Sequence, residues 1–143
     1  EDIVALVDDQ IAHDQDRFKV VHLRVFAGTY GPPLADVELS VDGKIVMDSA
    51  RGDGAIDAIF SAIRKIVPHS ATLRVYDVHA VTEGTDAQAD VTVQLEENGA
   101  TVTGRGTHED TLVASAKAYV NALTKLQARK ARMNTDAASA AAS

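Results

Sequence analysis

The sequence repeats itself at an offset of 54 residues, which is the separation between Gly52 and Gly106. At this offset, residues 35–39 align with residues 89–93, and both segments begin with Ala-Asp-Val. A self-match of this period predicts that the chain contains two copies of one supersecondary unit.

Each copy has the pattern of three strands followed by a helix. In the first half, residues 36–42 alternate apolar with polar side chains, which is typical of a half-buried strand. Asp42-Gly43 favours a type I′ hairpin turn. The apolar residues after Gly54 recur at helical spacing until Pro68, which ends the helix. The other first-half strands are predicted at 19–26 and 44–47.

The second half follows the same plan. Strands are predicted at 72–81, 91–95 and 101–103, with Asn98-Gly99 turning the hairpin. Thr107 is expected to cap the last helix, because Glu109 and Asp110 would then lie in its first turn, where the helix dipole favours acidic residues.

These patterns predict an α+β domain over residues 17–126, made of βββα repeats at 18–68 and 72–126. If both repeats share one sheet plane, both helices lie on one face. The other face then needs a cover, which a second copy in a dimer would supply. Residues 1–16 are expected to form a helix, and the chain is expected to be a piece of a longer protein, since it begins with Glu1 rather than Met. Residues 127–143 are expected to be a flexible tail.

Charge and composition disfavour several classes of partner. The formal net charge is −7, and four of the basic residues lie near the C-terminus. The rest of the chain is therefore strongly acidic, and an acidic surface is poorly suited to bind the phosphates of nucleic acid or anionic lipid. No apolar run approaches the ~20 residues that cross a membrane. The sequence has no cysteine, which excludes disulfides, thiolate nucleophiles and cysteine-type zinc sites.

Catalytic and metal-binding motifs are absent as well. The five histidines show no metal-ligand spacing, and no G-x-S-x-G nucleophile motif occurs. We therefore predict no catalytic residue and no metal site. A small stand-alone enzyme remains an alternative, with His79 or Asp77 acting beside Tyr76.

Two glycine-rich segments are better candidates for binding. Gly52-Asp53-Gly54 and Gly104-Arg105-Gly106-Thr107 each stand between a predicted strand and a predicted helix. Glycine lets backbone N–H groups approach a ligand, and a helix N-terminus favours a negative group. Either segment could also be a purely structural turn. Paired corners facing each other would suit a small carboxylate better than a nucleotide, since neither a P-loop lysine nor a G-x-G-x-x-G motif is present.

Several segments together resemble the C-terminal regulatory domain of 2-isopropylmalate synthases, a domain that the related (R)-citramalate synthases also carry. The resemblance covers roughly residues 18–126. It is carried by residues 52–58 (GDGAIDA), 84–89 (GTDAQA), 104–107 (GRGT) and 114–123 (ASAKAYVNAL).

The resemblance implies a regulatory role. In that family the domain forms a homodimer and binds the end product of the pathway at the dimer interface, leucine for isopropylmalate synthase and isoleucine for citramalate synthase. Binding slows a separate catalytic barrel. That barrel carries the divalent metal, acetyl-CoA and 2-keto acid sites, so this chain itself would need no cofactor. The family also implies a cytoplasmic protein, and it implies that the helix in residues 1–16 is the end of a linker subdomain that precedes this domain.

Carried onto this sequence, the family's effector site gives ten candidate residues. The glycine corner and Ile56 would receive the amino-acid backbone, the next strand and Ala89 would form the wall, and two residues before the last helix would close the pocket. Asp53 or Glu109 would meet the ammonium group. In an ideal strand Leu73 faces away from Tyr76 and Ala80, so either a bulge intervenes or Leu73 lies at the strand entrance. The ten residues are Gly52, Asp53, Gly54, Ile56, Leu73, Tyr76, Ala80, Ala89, Thr107 and Glu109.

Leucine is favoured over isoleucine because Ala80 leaves room for a γ-branched side chain. The placement of one methyl group is worth only about 1–3 kcal/mol, so isoleucine remains an alternative. A dimerisation module without any ligand is the second alternative.

Overall fold

The computed structural model describes residues 17–29, 31–83 and 86–142. The helix expected in residues 1–16 lies outside the described residues.

The element order confirms two βββα repeats. The first repeat contains β1 (Phe18–Gly28), β2 (Gly31–Val41), β3 (Lys44–Arg51) and α1 (Ala55–Ile66). The second contains β4 (Thr72–Glu83), β5 (Asp86–Glu97), β6 (Ala100–His108) and α2 (Thr111–Ala142). Strands β1-β2-β3 form the first sheet in that order, and β4-β5-β6 form the second, all antiparallel.

Both hairpin turns have the predicted conformation. Asp42 and Gly43 have φ of 51° and 84°, and Asn98 and Gly99 have φ of 54° and 78°. A type I′ turn requires positive φ at both central residues, a conformation in which Asn, Asp and Gly are the least strained residues.

The middle strands confirm the alternating pattern on which the repeat was recognised. Side chains at alternate positions of β2 and β5 are buried beneath the helices, and we call this side of each sheet its inner face. Their neighbours are half-buried or exposed on the outer face. The buried residues are Ala35, Val37 and Leu39 in β2, and Ala89, Val91, Val93 and Leu95 in β5. The predicted stripe buries Ile59, Phe60 and Ile63 on α1, and Val67 is buried directly after the helix.

The two repeats do not share one sheet plane, which corrects the expected layering. Helix α1 packs on β2 and β3 of the first sheet. Helix α2 packs on β5 and β6 of the second sheet, and it also contacts β1 of the first sheet and α1. The helices therefore lie between two three-stranded sheets, and the inner faces of the middle strands β2 and β5 are buried within the same chain.

Gly52 and Gly106, whose separation defines the offset of 54 residues, are not structural counterparts. Val37 pairs with Asp48 in the first sheet, whereas Val91, its counterpart, pairs with Gly106 in the second. Gly106 therefore corresponds to Asp48 and not to Gly52. The offset of 54 residues holds for the middle strands and fails after the hairpins, because the second hairpin is longer.

Gly104 and Gly106 let helix α2 approach β6 backbone to backbone. A Cβ atom on Gly104 would lie 2.2 Å from the carbonyl oxygen of Ala118 and 2.4 Å from the amide nitrogen of Ala122. On Gly106 it would lie 2.4 Å from the carbonyl oxygen of Ala114. Since these atoms belong to the helix backbone, they cannot rotate away, and any larger residue must displace the helix.

Helix α2 continues to Ala142, where the sequence predicted a flexible tail from residue 127. That prediction considered the lack of apolar side chains to join the core, whereas alanine, which is frequent in this segment, has the highest helix propensity of all residues. Although α2 has 32 residues, no helix in the described part of the chain is long and apolar enough to cross a membrane.

The contact between β6 and α2 predicts a large cost for one added methyl group. We expect Gly104→Ala to lower the free energy of unfolding by roughly 1–3 kcal/mol, the usual cost of overpacking a core, because the helix has to move off the sheet. Gly28→Ala is the matched control, since a Cβ atom there meets nothing within 4 Å and Gly28 has no positive φ. Urea denaturation of both variants measures the difference, and equal stabilities would contradict the contact.

Candidate functional site

The N-terminus of α2 lies beside the last inner-face row of the second sheet. Gly104 faces Ala118 and Ala122, whereas Gly106 faces Ala114 and Ala118, so α2 runs antiparallel to β6. Strand β6 ends at His108, which pairs with Ala89, and Ala89 pairs with Ala80. Helix α2 therefore begins close to the row formed by Ala80, Ala89 and His108.

The N-terminus of α1 lies at the same end of the molecule. Residues 67–71 connect the end of α1 to Thr72, which is at the opposite end of β4 from Ala80. Five residues reach at most about 17 Å, so the C-terminus of α1 stays near Thr72. Phe60, in the second turn of α1, contacts Tyr76, which lies four residues beyond Thr72 along β4, so the helix begins on the Ala80 side of its C-terminus.

Tyr76 joins β4 to both helices. Its ring meets Phe60 of α1 edge to face, with ring centroids 5.9 Å apart. Its hydroxyl lies 2.7 Å from the hydroxyl of Ser115 on α2. Phe60 also stacks on Tyr119 of α2 at 4.2 Å. The ring of Tyr76 nevertheless remains partly exposed, which leaves a surface on its open side.

A bulge places Leu73, Tyr76 and Ala80 on the same face, which was one of the two arrangements expected. Leu73 pairs with Leu95, but Val75 pairs with Gln94, so the register shifts between them. Leu73 nevertheless lies seven residues before Ala80, which is roughly 20 Å in a strand. One bound amino acid cannot contact both side chains of the same protomer.

At the first glycine corner, Gly54 has free space beside its Cα atom, whereas Gly52 is closely surrounded. The N–H of Gly52 donates to the carbonyl of Pro33 at 3.2 Å, and a Cβ atom on Gly52 would lie 2.3 Å from the amide nitrogen of Ala58. The N–H of Asp53 donates to the carboxylate of Asp57 at 2.9 Å. By contrast, a Cβ atom on Gly54 would meet nothing within 4 Å. Gly52 therefore serves the turn, and Ile56 is packed partly against the core.

The second glycine segment is not a corner, which corrects the prediction of paired glycine corners. Gly104, Arg105, Gly106 and Thr107 all lie within β6. The inner side of both glycines is filled by the α2 backbone, so no ligand can approach them there.

Thr107 and Glu109 do not have the predicted arrangement at the start of α2. Thr107 pairs with Asp90, its hydroxyl lies 3.4 Å from that carboxylate, and both are on the outer face. The helix begins at Thr111, after Glu109 and Asp110. The Asp110 carboxylate accepts a hydrogen bond from the N–H of Leu112 at 2.7 Å and therefore caps the helix. Glu109 is exposed just before this cap, at the Ala80 end.

The structure does not assemble the residues of the alternative enzyme. The Nε2 atom of His79 lies 2.8 Å from the carboxylate of Asp77, and both side chains are more than half exposed. They lie on the outer face of β4, whereas Tyr76 lies on the inner face. No group of three metal-ligating side chains occurs within the described residues.

An open pocket of about 280 Å³, not foreseen from the sequence, lies at the end of the first sheet. Its lining contains Phe26, Leu34 and Arg51, which pair across the outer face. No sequence-predicted site residue lines it.

His69 connects the link between the repeats to α2. Its Nε2 lies 2.7 Å from the hydroxyl of Tyr119. Burial is the main cause that lowers the pKa of His69, Arg64 and Lys130 lower it further, and Glu97 opposes them. Burial likewise raises the pKa of the Tyr119 hydroxyl.

The chain matches, over residues 1–127, the family described as the LeuA allosteric (dimerisation) domain. It is 56% identical to a 2-isopropylmalate synthase of Caulobacter sp. (strain K31) over 138 residues, which are 96% of this chain and 26% of that protein. It is 54% identical to one of Rhodopseudomonas palustris (strain TIE-1) over 132 residues, 92% of this chain and 25% of that protein. A Bradyrhizobium diazoefficiens protein of the same name is 51% identical over 140 residues, covering 98% of this chain and 27% of that protein. The chain thus spans about a quarter of the length of these curated relatives.

The position of the α2 cap can be tested with two alanine variants. Asp110→Ala should lower the free energy of unfolding by about 1 kcal/mol, because it removes the hydrogen bond to the first turn. Thr107→Ala is the control and should cost less, because its exposed hydroxyl makes a long contact on the outer face. Thermal unfolding of both variants measures the difference. A larger loss of stability in the Thr107 variant would contradict the assignment of Asp110 as the cap and would favour Thr107.

The buried histidine predicts a direction of pH dependence. Because the pKa of His69 is lower in the folded than in the unfolded state, the unfolded state binds more protons as the pH falls through 6.5. Stability that His69 contributes at pH 8 should therefore be lost toward pH 5.5. We expect His69→Asn to destabilise the protein more at pH 8 than at pH 5.5 in urea titrations. An Asn variant of the exposed His22 is the control, and an equal cost of His69→Asn at both pH values would contradict the assignment.

Proposed function

The chain belongs to the LeuA allosteric (dimerisation) domain family, and we propose that it is the leucine-binding regulatory domain of a 2-isopropylmalate synthase. The parent protein would be a cytoplasmic acyltransferase. Its catalytic barrel would use a divalent metal and acetyl-CoA, and leucine bound to this domain would slow it. The names of the relatives support this role, as does the family description, which also supports a homodimer.

The observation that carries the proposal is the partly exposed inner face of β4 beside two helix N-termini. Tyr76 and Val78 are 36% and 42% exposed there, although they lie on the face that the rest of the sheet buries. A free amino acid with an apolar side chain of three or four carbons suits such a place, because apolar surface would receive its side chain and helix N-terminal N–H groups would receive its carboxylate.

Each part of a free amino acid has a proposed partner at this place. The carboxylate would accept hydrogen bonds from N–H groups of the first turn of α1, at Gly54 and Ile56, where the helix dipole favours a negative charge. The side chain would rest on Tyr76 and Ala80, with Ala89 in the adjacent strand. The ammonium group would meet the exposed carboxylate of Asp53 or Glu109.

The contacts described above narrow the original set of ten residues. Gly52 is committed to the turn, Leu73 lies roughly 20 Å from Ala80, and Thr107 faces the outer side. We therefore propose that these three residues do not contact the effector within one protomer. The remaining seven stay as the proposed site.

Inhibition would follow from a difference in affinity between two arrangements of the subunits. An effector that binds both arrangements equally shifts nothing, and coupling of this kind typically amounts to about 1–3 kcal/mol. A site between two helix N-termini and a strand edge suits such coupling, because a ligand there fixes the position of β4 relative to both helices.

Isothermal titration calorimetry of the chain with leucine, isoleucine and valine tests the proposal. We expect leucine to bind most tightly, and Ala80→Leu to weaken it at least tenfold by filling the space beside Tyr76. Thr101→Leu is the matched control, since it adds the same side chain at an exposed position at the far end of the second sheet. Circular dichroism confirms that both variants are folded.

The other outcomes separate the alternatives. Tighter binding of isoleucine would favour the regulatory domain of a citramalate synthase. A dimer that gives no heat with any of the three amino acids up to millimolar concentration would leave a dimerisation module without a ligand.

A further inference from the structure

Two hydroxyl groups connect strand β4 to the beginning of helix α2. The Oγ atom of Ser115 donates a hydrogen bond to the carbonyl of Thr111 at 2.7 Å, one turn earlier in the helix. The hydroxyl of Tyr76 lies 2.7 Å from the same Oγ atom. A serine hydroxyl has a single proton, which here goes to the carbonyl, so Tyr76 is the donor in the bond between the two side chains. We call this pair of bonds, from Tyr76 through Ser115 to Thr111, the hydroxyl bridge.

The hydroxyl bridge fixes the far end of a ring that packing alone leaves partly free. Phe60 meets the Tyr76 ring edge to face, with ring centroids 5.9 Å apart, yet 36% of Tyr76 stays exposed. Ser115, by contrast, is fully buried, so water cannot replace the tyrosine as its donor. Buried polar groups without a partner are costly, which favours the ring orientation that makes the bond. The hydroxyl bridge therefore selects one orientation of the Tyr76 side chain.

The fold itself does not require this polar pair, because the first repeat is built without it. Tyr76 pairs with Val93, whose counterpart at the offset of 54 residues is Leu39, and Leu39 pairs with Val20. Val20 is therefore the counterpart of Tyr76, and its aliphatic side chain packs against the core. The second repeat thus contains a polar link between strand and helix where the first has only apolar packing.

We propose that Ser115 is a positioning residue of the effector site, which holds the Tyr76 ring in the orientation that receives the leucine side chain. The inference rests on the proposed function, in which leucine lies on Tyr76 and Ala80. A ring that is already held in place does not have to be ordered by the ligand, and such preorganisation strengthens binding. Because the hydroxyl bridge ends in the first turn of α2, leucine on this ring also fixes β4 relative to that helix. Ser115 is not among the ten residues predicted from the sequence.

Calorimetry of Ser115→Ala with leucine tests the positioning role. The variant removes the acceptor of the Tyr76 hydroxyl, whereas alanine, the best helix former, preserves α2. We expect leucine to bind roughly two- to tenfold more weakly than to the wild type, which is the usual cost of ordering one side chain on binding.

Thr124→Ala is the matched control for this experiment. Thr124 is also buried on α2, and its hydroxyl also donates to a carbonyl one turn earlier, that of Val120, at 3.0 Å. The control should leave the affinity for leucine unchanged, because this hydrogen bond stays within α2. Circular dichroism confirms that both variants are folded.

A double-mutant cycle shows whether the effect passes through the Tyr76 hydroxyl. Tyr76→Phe removes the same hydrogen bond from the strand side and keeps the ring, so it should weaken leucine binding by a similar factor. It also replaces Ser115→Ala if that variant fails to fold. In the Tyr76→Phe background, Ser115→Ala should change the affinity by less than about twofold, because the two residues act through one bond.

The position of the ring can be followed without leucine by NMR. The sequence has three tyrosines, so carbon-13 labelling of the tyrosine Cζ atom gives three signals, and Tyr76→Phe identifies the one from Tyr76. Since this carbon responds to hydrogen bonding of the attached hydroxyl, Ser115→Ala should shift the Tyr76 signal. Thr124→Ala should leave that signal in place.

The outcomes separate this inference from the proposed function. If the wild type binds leucine and Ser115→Ala binds it equally tightly, the positioning role is overturned and the proposed function stands. Equal weakening by Ser115→Ala in the wild-type and Tyr76→Phe backgrounds, or a Tyr76 signal that Ser115→Ala does not shift, would also overturn the positioning role alone. A wild-type chain that binds none of the three amino acids would overturn both.

Discussion

The close contact between β6 and α2 is the constraint from which the rest of the arrangement follows. Because Gly104 and Gly106 have no side chains, the helix lies against the strand itself, with Ala114, Ala118 and Ala122 toward it. Other sides of α2 remain available, and these contact β1 and α1. The contact thereby also holds the two repeats together, and a helix held farther from its sheet would disrupt the stack of Phe60 on Tyr119 that joins the two helices.

The two repeats have the same topology but differ in how they are covered. Where β6 has Gly106, its structural counterpart in the first repeat is Asp48, so the first sheet has no equivalent close contact at that position. Helix α2 then covers β1 as well as its own sheet, whereas β4 touches the helices mainly through Tyr76. Because the helices cover β1 more fully than β4, the apolar strand β4 stays partly exposed near the N-termini of the helices. The proposed effector site depends on this opening.

The sequence was most informative where local chemistry decides the outcome. The Asp-Gly and Asn-Gly turns, the alternation in the middle strands and the stripe of α1 all occur as predicted, because each depends on neighbours within a few residues. The prediction of a corner at the glycines of β6 is wrong, because a glycine that ends a strand and one that admits a helix look alike in sequence. Asp110 was placed inside the helix it caps for a similar reason, since several polar residues precede α2 and only the fold selects one. That two sheets rather than one enclose the helices depends on contacts between residues far apart in sequence.

Hydrogen exchange of β4 tests the central claim, that an amino acid binds at the open inner face of this strand. Amide exchange in residues 72–83 should slow when leucine is added at saturating concentration, because the bound ligand holds β4 against the helices. Residues 44–51, the edge strand of the first sheet, should exchange at the same rate throughout. Exchange in β4 that is equally fast with and without leucine would contradict the account.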